Sequence, residues 1–348
     1  MIKLITHIAS MLVAFVILGC QAQPQSSQPS QTSSATTSEL SWATILEQNP
    51  DAKVVTNADF LKRIKATGLP WRVQDKATGI EMLLMPPGVF TMGASQGDER
   101  AVEMQKLMLQ KFPQFKYTEQ PAHQVTITKP FYLGRTEVTQ EQWVRVMQQN
   151  PSLFQAGNAT EITQMYLKHH FVEWTGIAMT NEEARTRAET AARDDKFKPV
   201  ERVSWDDCQK FCAKTGMTLP TEAQWEYACR AGVDKPTYGQ LDQIAWNIDN
   251  SKFSTHSVKH KAPNMLGFYD MIGNIVEWTQ DWYEGGYYKS CAGGVIDPVG
   301  PAQSELKARV LRGGGWDDDA NHSRASQRGH CEPDNIYGSF GFRAARTP

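Results

Sequence analysis

The 348-residue chain has no excess of charge of either sign, with 36 Lys and Arg against 38 Asp and Glu. That balance, and the lack of a long basic run, removes the electrostatic case for a nucleic-acid partner. Long apolar runs are missing too: the stretch 8–18 is too short to span a bilayer comfortably. There is no Ser-His-Asp order, phosphate loop or zinc-type CxxC pair. Strands do not alternate regularly with crossover helices, which argues against a doubly wound sheet, and no internal repeat is visible. Cysteine is scarce, at six residues. Setting Cys20 aside leaves an odd number, so at least one thiol is free or intermolecular.

What is present begins with a targeting pattern. Lys3 gives a short basic region, 8–18 an apolar one, and Ile17-Leu18-Gly19-Cys20 resembles a bacterial lipobox. The expectation is a signal peptide over 1–19 and a lipidated Cys20. Gln21 after the cysteine fits an outer-membrane lipoprotein facing the periplasm. A multiply acylated terminus anchors stably where a single chain does not. Residues 20–40, rich in Gln, Ser, Thr and Pro, read as a flexible tether of about 25 Å reach. Residues 41–76 read as a helical lead-in, and 77–348 as the globular body.

Within that body, 80–93 has the apolar density of two strands around a Pro-Pro-Gly turn, and 94–117 contains a helical pattern. Strand character returns over 123–139. Thr139 is placed to cap a helix over 139–147. Residues 152–197 read as two helices, the second polar enough to be a solvated face. A strand follows from 199, then helices over 206–215 and 222–231, the latter capped by Thr221 and closed by Gly232. The tail offers a strand and glycine turn in 310–319 and a last apolar segment at 338–345. The fold class is a loop-rich α+β domain.

The densest chemistry lies in 262–283, where Asp270, Asn274, Glu277 and Asp281 stand among glycines and aromatics. Gly267 and Gly273 permit sharp reversals, and hard oxygens converging on a turn suit Ca²⁺. The alternative is a turn whose acids cap backbone N–H groups. His256 and His260 lie on a loop pattern, and His169 and His170 are adjacent, so neither pair shares a face. Asp318, His322 and His330 form a conceivable non-haem iron set. Cys208 and Cys212, four apart on a helix, read as packing.

The ordered blocks FTMG (90–93), EQPAHQVTITKPFYLGRTEVTQEQW (119–143), PVERVSW (199–205), LPTEAQWEYACRAG (219–232), PNMLGFYDMIGNIVEW (263–278), VLRGGGW (310–316) and GFR (341–343) resemble the formylglycine-generating enzyme, or sulfatase-modifying factor, family. The resemblance runs from about 77 to the C-terminus, with insertions near 95–118 and 152–197. It implies a fold related to C-type lectins, low in regular secondary structure and often holding Ca²⁺. It also implies a shallow cleft in which active members use two cysteines, Cu(I) and oxygen to turn a peptide cysteine into formylglycine. The calcium ligands it implies here are the side chains of Asp270 and Glu277 and the carbonyls of Gly273 and Ile275.

The catalytic cysteine positions fall on Asp318 and about Ser323, and Arg312-Gly313-Gly314-Gly315 has a glycine where active members have serine. Hard oxygens do not suit Cu(I), so copper is not expected, and Asp318, His322 and Cys331 are left as catalytic candidates. Cys212 and Cys229 match positions that form disulfides in some relatives, but Ala344 stands where the Cys212 partner belongs. Cys331 is left to pair with Cys229 or Cys291. Two functions are carried forward: a binding or regulatory module for another envelope protein, or an oxygen-dependent oxidoreductase acting on a cysteine-containing protein or through non-haem iron.

Overall fold

The computed structural model describes residues 40–348 apart from 95–96, 112–117, 169–170, 173–174 and 194. Cys20, the tether and the His169–His170 pair lie outside the described residues. Three small sheets carry the fold. The first joins β1 (Ala43–Glu47), β2 (Arg72–Asp75), β3 (Glu81–Met85), β6 (Phe131–Gly134) and β12 (Ala345–Arg346) in the order β1-β2-β3-β6-β12. All its pairings are antiparallel. This corrects the expected helical lead-in: 41–76 holds two strands around a single helix, α1 (Ala58–Ala66). Trp42 and Ile45 are β-formers, and β1 adds an edge to the sheet by pairing Ile45 with Val73. The folded body therefore starts near residue 40, ahead of the expected boundary at 77.

Residues 80–93 do form two strands, but they part into different sheets. β3 enters the first, whereas β4 (Gly88–Met92) pairs with β5 (His123–Ile127), which is followed by β8 (Val295–Ile296). The third sheet, in the order β10-β9-β7-β11, uses β10 (Gly329–Cys331), β9 (Arg309–Arg312), β7 (Val276–Trp282) and β11 (Phe340–Gly341). It brings the two chemistry-bearing stretches of the sequence side by side.

Helices α2 (Glu99–Lys111) and α3 (Gln140–Met147) fall where the apolar spacing put them, and α3 starts with the Thr139 capping box. Helices α4 (Ala159–Leu167) and α5 (Asn181–Ala191) make up the second insertion. Next come α6 (Trp205–Thr215) and α7 (Glu222–Arg230), each with its own capping box. At the end of α7 it is Ala231 that first takes the left-handed conformation expected of Gly232.

The main core packs α6 and α7 against the sheets. Trp143 stacks on Phe211 at 5.5 Å, with Phe342 edge-on to both. Each such side chain contributes roughly 2 kcal/mol by leaving water. The insertion has a core of its own, in which Ile162, Tyr166, Ala184 and Ala188 meet Phe253 and Trp316. Polar as α5 is, its alanines form a buried stripe that lets α4 approach, while Glu182, Arg185 and Glu189 face solvent. The solvated-face reading holds for one side of the helix only.

Candidate functional site

Two acidic regions meet at β7. In the first, Glu277 at the start of the strand is fully buried, and its carboxylate is gripped by Arg343 through Nε at 2.7 Å and Nη2 at 2.6 Å. Trp225 Nε1 donates to the same group at 2.8 Å. Asp270 Oδ2 accepts from the Lys259 N–H at 2.9 Å, and the Asp270 carbonyl accepts from Arg343 at 3.0 Å. Asn274 bridges the loop, accepting from the His256 N–H and donating to the His256 carbonyl. A third carboxylate, Glu137, is buried nearby. Its Oε2 accepts weakly from Asn274 at 3.4 Å and its Oε1 has no partner. Burial and then the charges of Asp270 and Glu277 hold the Glu137 carboxyl well above its ordinary range. Burial, with Glu277 adding to it, pushes Asp270 up to about 6.

Three buried acids thus surround the Arg343 guanidinium, of which Glu277 is bonded to it through its carboxylate and Glu137 is held towards its neutral form. Among the described residues no three His, Cys, Asp or Glu side chains are placed to hold a metal ion, and both Glu277 oxygens are already bonded to Arg343 and Trp225, so only the hub's acidity speaks for the expected Ca²⁺. Asp270, Gly273, Ile275 and Glu277 lie in one buried loop-to-strand segment. Glu277 has a firmer role than the sequence disclosed, as the ion-pair partner of Arg343. Arg343 follows the apolar Phe342 into the core, and an arginine there demands an acid. That was the available signal.

The second region is a cavity of about 290 Å³ lined by Asp318, His322, His330, Glu119, Arg328 and Tyr283, with apolar walls from Met104, Val276, Leu311 and Phe340. It is built by the turn after β9. Gly313 and Gly314 adopt φ of +97° and +72°, and a Cβ on Gly314 would lie 2.9 Å from the His322 carbonyl. Only glycine lets the chain double back this closely. A Cβ on Gly315 is crowded in turn, at 2.7 Å from Asp317 Oδ1 and 3.2 Å from Ser339 Cβ. The Asp317 carboxyl is raised to about 8 by burial and by the charge of Asp318.

Asp318 Oδ2 accepts from the Gly315 N–H at 2.9 Å, and burial raises its carboxyl. Ser323 is buried, and its hydroxyl donates to the Asp319 carbonyl at 3.1 Å. His322 Nδ1 meets Asp319 Oδ1 at 2.8 Å. Burial opposes charge on this ring, but the Asp319 hydrogen bond and the Asp318 and Asp319 charges win, raising its pKa. His330 stacks on Tyr283 at 4.0 Å, and burial and Arg328 lower its pKa. Asp318, His322 and His330 do line one cavity, yet among the described residues no three His, Cys, Asp or Glu side chains are placed to hold a metal ion. A larger cavity of about 490 Å³ lies around Asp98, Arg100, Arg230 and Lys235. Arg230 there is bonded to Glu226 and to the Gly93 carbonyl, which leaves it a structural role.

The disulfide expectation is corrected. Cys208, Cys212, Cys229, Cys291 and Cys331 are all free. Cys229 is buried on α7 against the Met271 carbonyl, Cys291 sits beside Ser290, and Cys331 Sγ accepts from Asn335 Nδ2 at 3.2 Å. Each thiol has its own neighbour, and Cys331 is not among the residues lining the cavity. Cys208 and Cys212 pack in the main core, as their spacing indicated.

Residues 70–348 match the family model described as "Sulfatase-modifying factor enzyme 1-like domain". The chain belongs to the sulfatase-modifying factor family. It is 29% identical over 293 residues to the formylglycine-generating enzyme of Streptomyces coelicolor, covering 75% of this chain and 87% of that one. It is also 29% identical over 269 residues to the serine/threonine-protein kinase Pkn1 of Chlamydia trachomatis. The chain spans only 38% of the length of that kinase. Two solved structures share the fold. PvdO from Pseudomonas aeruginosa has a TM-score of 0.54 at 22% identity, covering 80% of this chain and 98% of that one. Treponema denticola variable protein 1 has a TM-score of 0.53 at 25% identity, covering 77% and 95%. These likenesses bear out the loop-rich α+β fold. The sulfatase-modifying factor blocks map onto β7, α7, β9 and the turn that builds the cavity.

Proposed function

We propose that the chain is a membrane-tethered, periplasm-facing sulfatase-modifying factor protein that binds or regulates another envelope protein and works without copper-dependent oxidation. One observation carries this reading. Asp318 and Ser323 stand where the family's cysteine pair is expected, and both already serve the turn, Asp318 by accepting from Gly315 and Ser323 by donating to Asp319. An oxygen pair of this kind is the wrong donor set for Cu(I), whereas the cavity beside it persists at about 290 Å³. The tether and its lipid are supported by the lipobox pattern ending at Cys20 and the low-complexity stretch after it. A Ca²⁺ ion at Asp270 and Glu277, with the carbonyls of Gly273 and Ile275, would stiffen the loop ahead of β7; its role is structural.

Site-specific photocrosslinking in intact cells tests the proposal. A crosslinker at Tyr337, exposed near the cavity wall residue Phe340, should capture one discrete envelope protein. A crosslinker at Arg185, exposed on α5, should not capture the same protein. Equal capture at both sites, or none at Tyr337, contradicts the reading. Radiolabelled palmitate incorporation that disappears in Cys20→Ala checks the anchor.

A further inference from the structure

The charged groups around the cavity are already engaged inside the chain. Arg328 is held by Glu222 through Nε at 2.6 Å and Nη2 at 2.9 Å, and Nη1 donates to the Thr118 carbonyl at 2.9 Å. Its guanidinium also lies over the rings of Tyr288 and Tyr283, at 4.1 and 5.1 Å. Glu119 is held just as firmly, by Arg324 at 2.6 and 2.7 Å and by the Ser326 hydroxyl at 2.8 Å. Asp318 takes the Gly315 N–H and faces the charge of His322, which is bonded in turn to Asp319. His330 lies flat on Tyr283, and burial and Arg328 lower its pKa. A charged ligand would lose its water on entry and would have to compete with these pairings for a partner of its own. What the lining leaves open is apolar: Met104 of α2, Val276 of β7, Leu311 of β9 and Phe340 of β11. Such walls offer a water molecule no hydrogen-bonding partner.

The apolar surface does not stop at the cavity wall. The Phe340 ring lies 4.7 Å from that of Tyr337, in the loop between β10 and β11, and Tyr337 and its neighbour Ile336 are 52% and 55% exposed. A small molecule inside the cavity would leave this rim bare, whereas a protein segment crossing it covers wall and rim together. Resting on the proposed binding role of this same cavity, we infer that it takes an uncharged apolar side chain of the partner protein, of leucine or phenylalanine size, whose flanking residues cover Ile336 and Tyr337. A volume of about 290 Å³ accommodates one side chain of this kind. An apolar anchor seated in a pocket, with surrounding contacts that exclude water, is the arrangement in which protein interfaces concentrate their affinity. The matched charges then serve selectivity, because a lysine or glutamate in the same position would be desolvated without gaining a counter-ion.

The full chain is titrated calorimetrically with blocked Gly-Ser-Ala-Xaa-Ala-Ser-Gly peptides in which Xaa is Leu, Phe, Asn, Lys or Glu, and separately with isovaleramide, a free stand-in for the leucine side chain. The leucine or phenylalanine peptide should bind at least ~10-fold more tightly than the other three, about 1.4 kcal/mol. Its binding should show a negative heat-capacity change and hold steady between about 0.02 and 0.5 M NaCl. Met104→Gln, which makes one wall polar, should abolish the preference. If that variant fails to fold, Ile336→Ser and Tyr337→Ser give a second readout from exposed positions. Each should weaken the apolar peptide by at least ~3-fold with the unfolding temperature nearly unchanged, and leave isovaleramide unaffected. Lysine or glutamate peptides binding as tightly as leucine, or no peptide binding at all, overturns the inference. So does isovaleramide binding as tightly as the peptide with the rim variants silent, since the cavity would then take a small apolar molecule. Capture of a partner at Tyr337 in cells together with indifference to the side chain at Xaa would sink this inference and leave the binding role standing. A clear leucine preference with no capture at Tyr337 would contradict the binding role and leave the chemistry of the cavity standing.

Discussion

The acidic hub at Asp270 and Glu277 and the acidic cavity at Asp318 sit at the same end of one short sheet, where Glu277 of β7 pairs with Arg312 of β9 just before the turn that carries Asp318, and they handle negative charge differently. In the hub, Arg343 crosses the core to grip Glu277, and Trp225, Lys259 and Asn274 supply donors to the carboxylates. In the cavity, the arginines are matched by Glu222 and Glu119, and Asp318 takes the Gly315 N–H and shares the charge of His322 with Asp319. A scaffold keeps its buried charges paired because an unpaired one costs several kcal/mol. At the cavity, Asp318 and Asp319 are only partly shielded from water, so their charges cost less and the fold depends on them less.

Breaking the hub should have the largest effect. Arg343→Met strands Glu277 in the core and should destabilise the chain by about 3–5 kcal/mol in denaturant unfolding. Asp318→Asn in the cavity should change stability by less than about 1 kcal/mol. Equal losses would erase the distinction drawn between the regions.

A second test uses pH. Glu201 Oε1 accepts from the Phe154 N–H at 2.9 Å at the base of the α4–α5 insertion, its Oε2 is buried without a partner, and burial pushes its carboxyl up to about 8. Below the ordinary value of 4.5, folded and unfolded chains both hold the proton. As pH rises from there towards about 8, the unfolded chain loses it first, so stability drains away across that window. Asp281, also raised to about 8 by burial and Glu222, adds to the slope. Glu201→Gln should flatten it, recovering ~2–3 kcal/mol at pH 8 and little at pH 4.5. An unchanged slope in the variant would show that Glu201 ionises freely.

Calcium sharpens the comparison from the other side. If the hub's surplus charge holds Ca²⁺, millimolar Ca²⁺ should raise the melting temperature by several degrees, and Asp270→Asn should remove the shift. Asp318→Asn should leave the shift intact. The smallest effect concerns the insertion. Thr180→Ala removes the capping box of α5 and should cost about 1 kcal/mol, seen as faster amide exchange in α4 and α5.

Much of this was legible in the chain. The helices of the body follow their caps, as at Thr139 and Thr221, and the order of motif blocks revealed the family. The misreading of 41–76 came from two short strands, β1 and β2, that pair with each other and with β3 on either side of α1, a sheet context that a local helical pattern does not reveal. The alanine stripe of α5 was hidden by its polar outer face. The disulfide expectation came from positions that pair in relatives, and a matching position does not bring a second thiol within bonding reach; the five described cysteines are free. At the site, the replacement of cysteines by Asp318 and Ser323 was visible at once. Which acid pairs with which arginine was not, since Glu119 pairs with Arg324 and Glu222 with Arg328 across 205 and 106 residues.

The central claim is that this cavity binds and does not oxidise. The most direct measurement incubates the full chain with Cu(I) or Fe(II), oxygen and a cysteine-containing sulfatase-type peptide, and follows the peptide thiol by mass spectrometry. The account predicts no aldehyde above the metal-only control, from a chain whose fold is verified in the same tube. Conversion above that control, abolished by Asp318→Asn or His322→Ala, would contradict it.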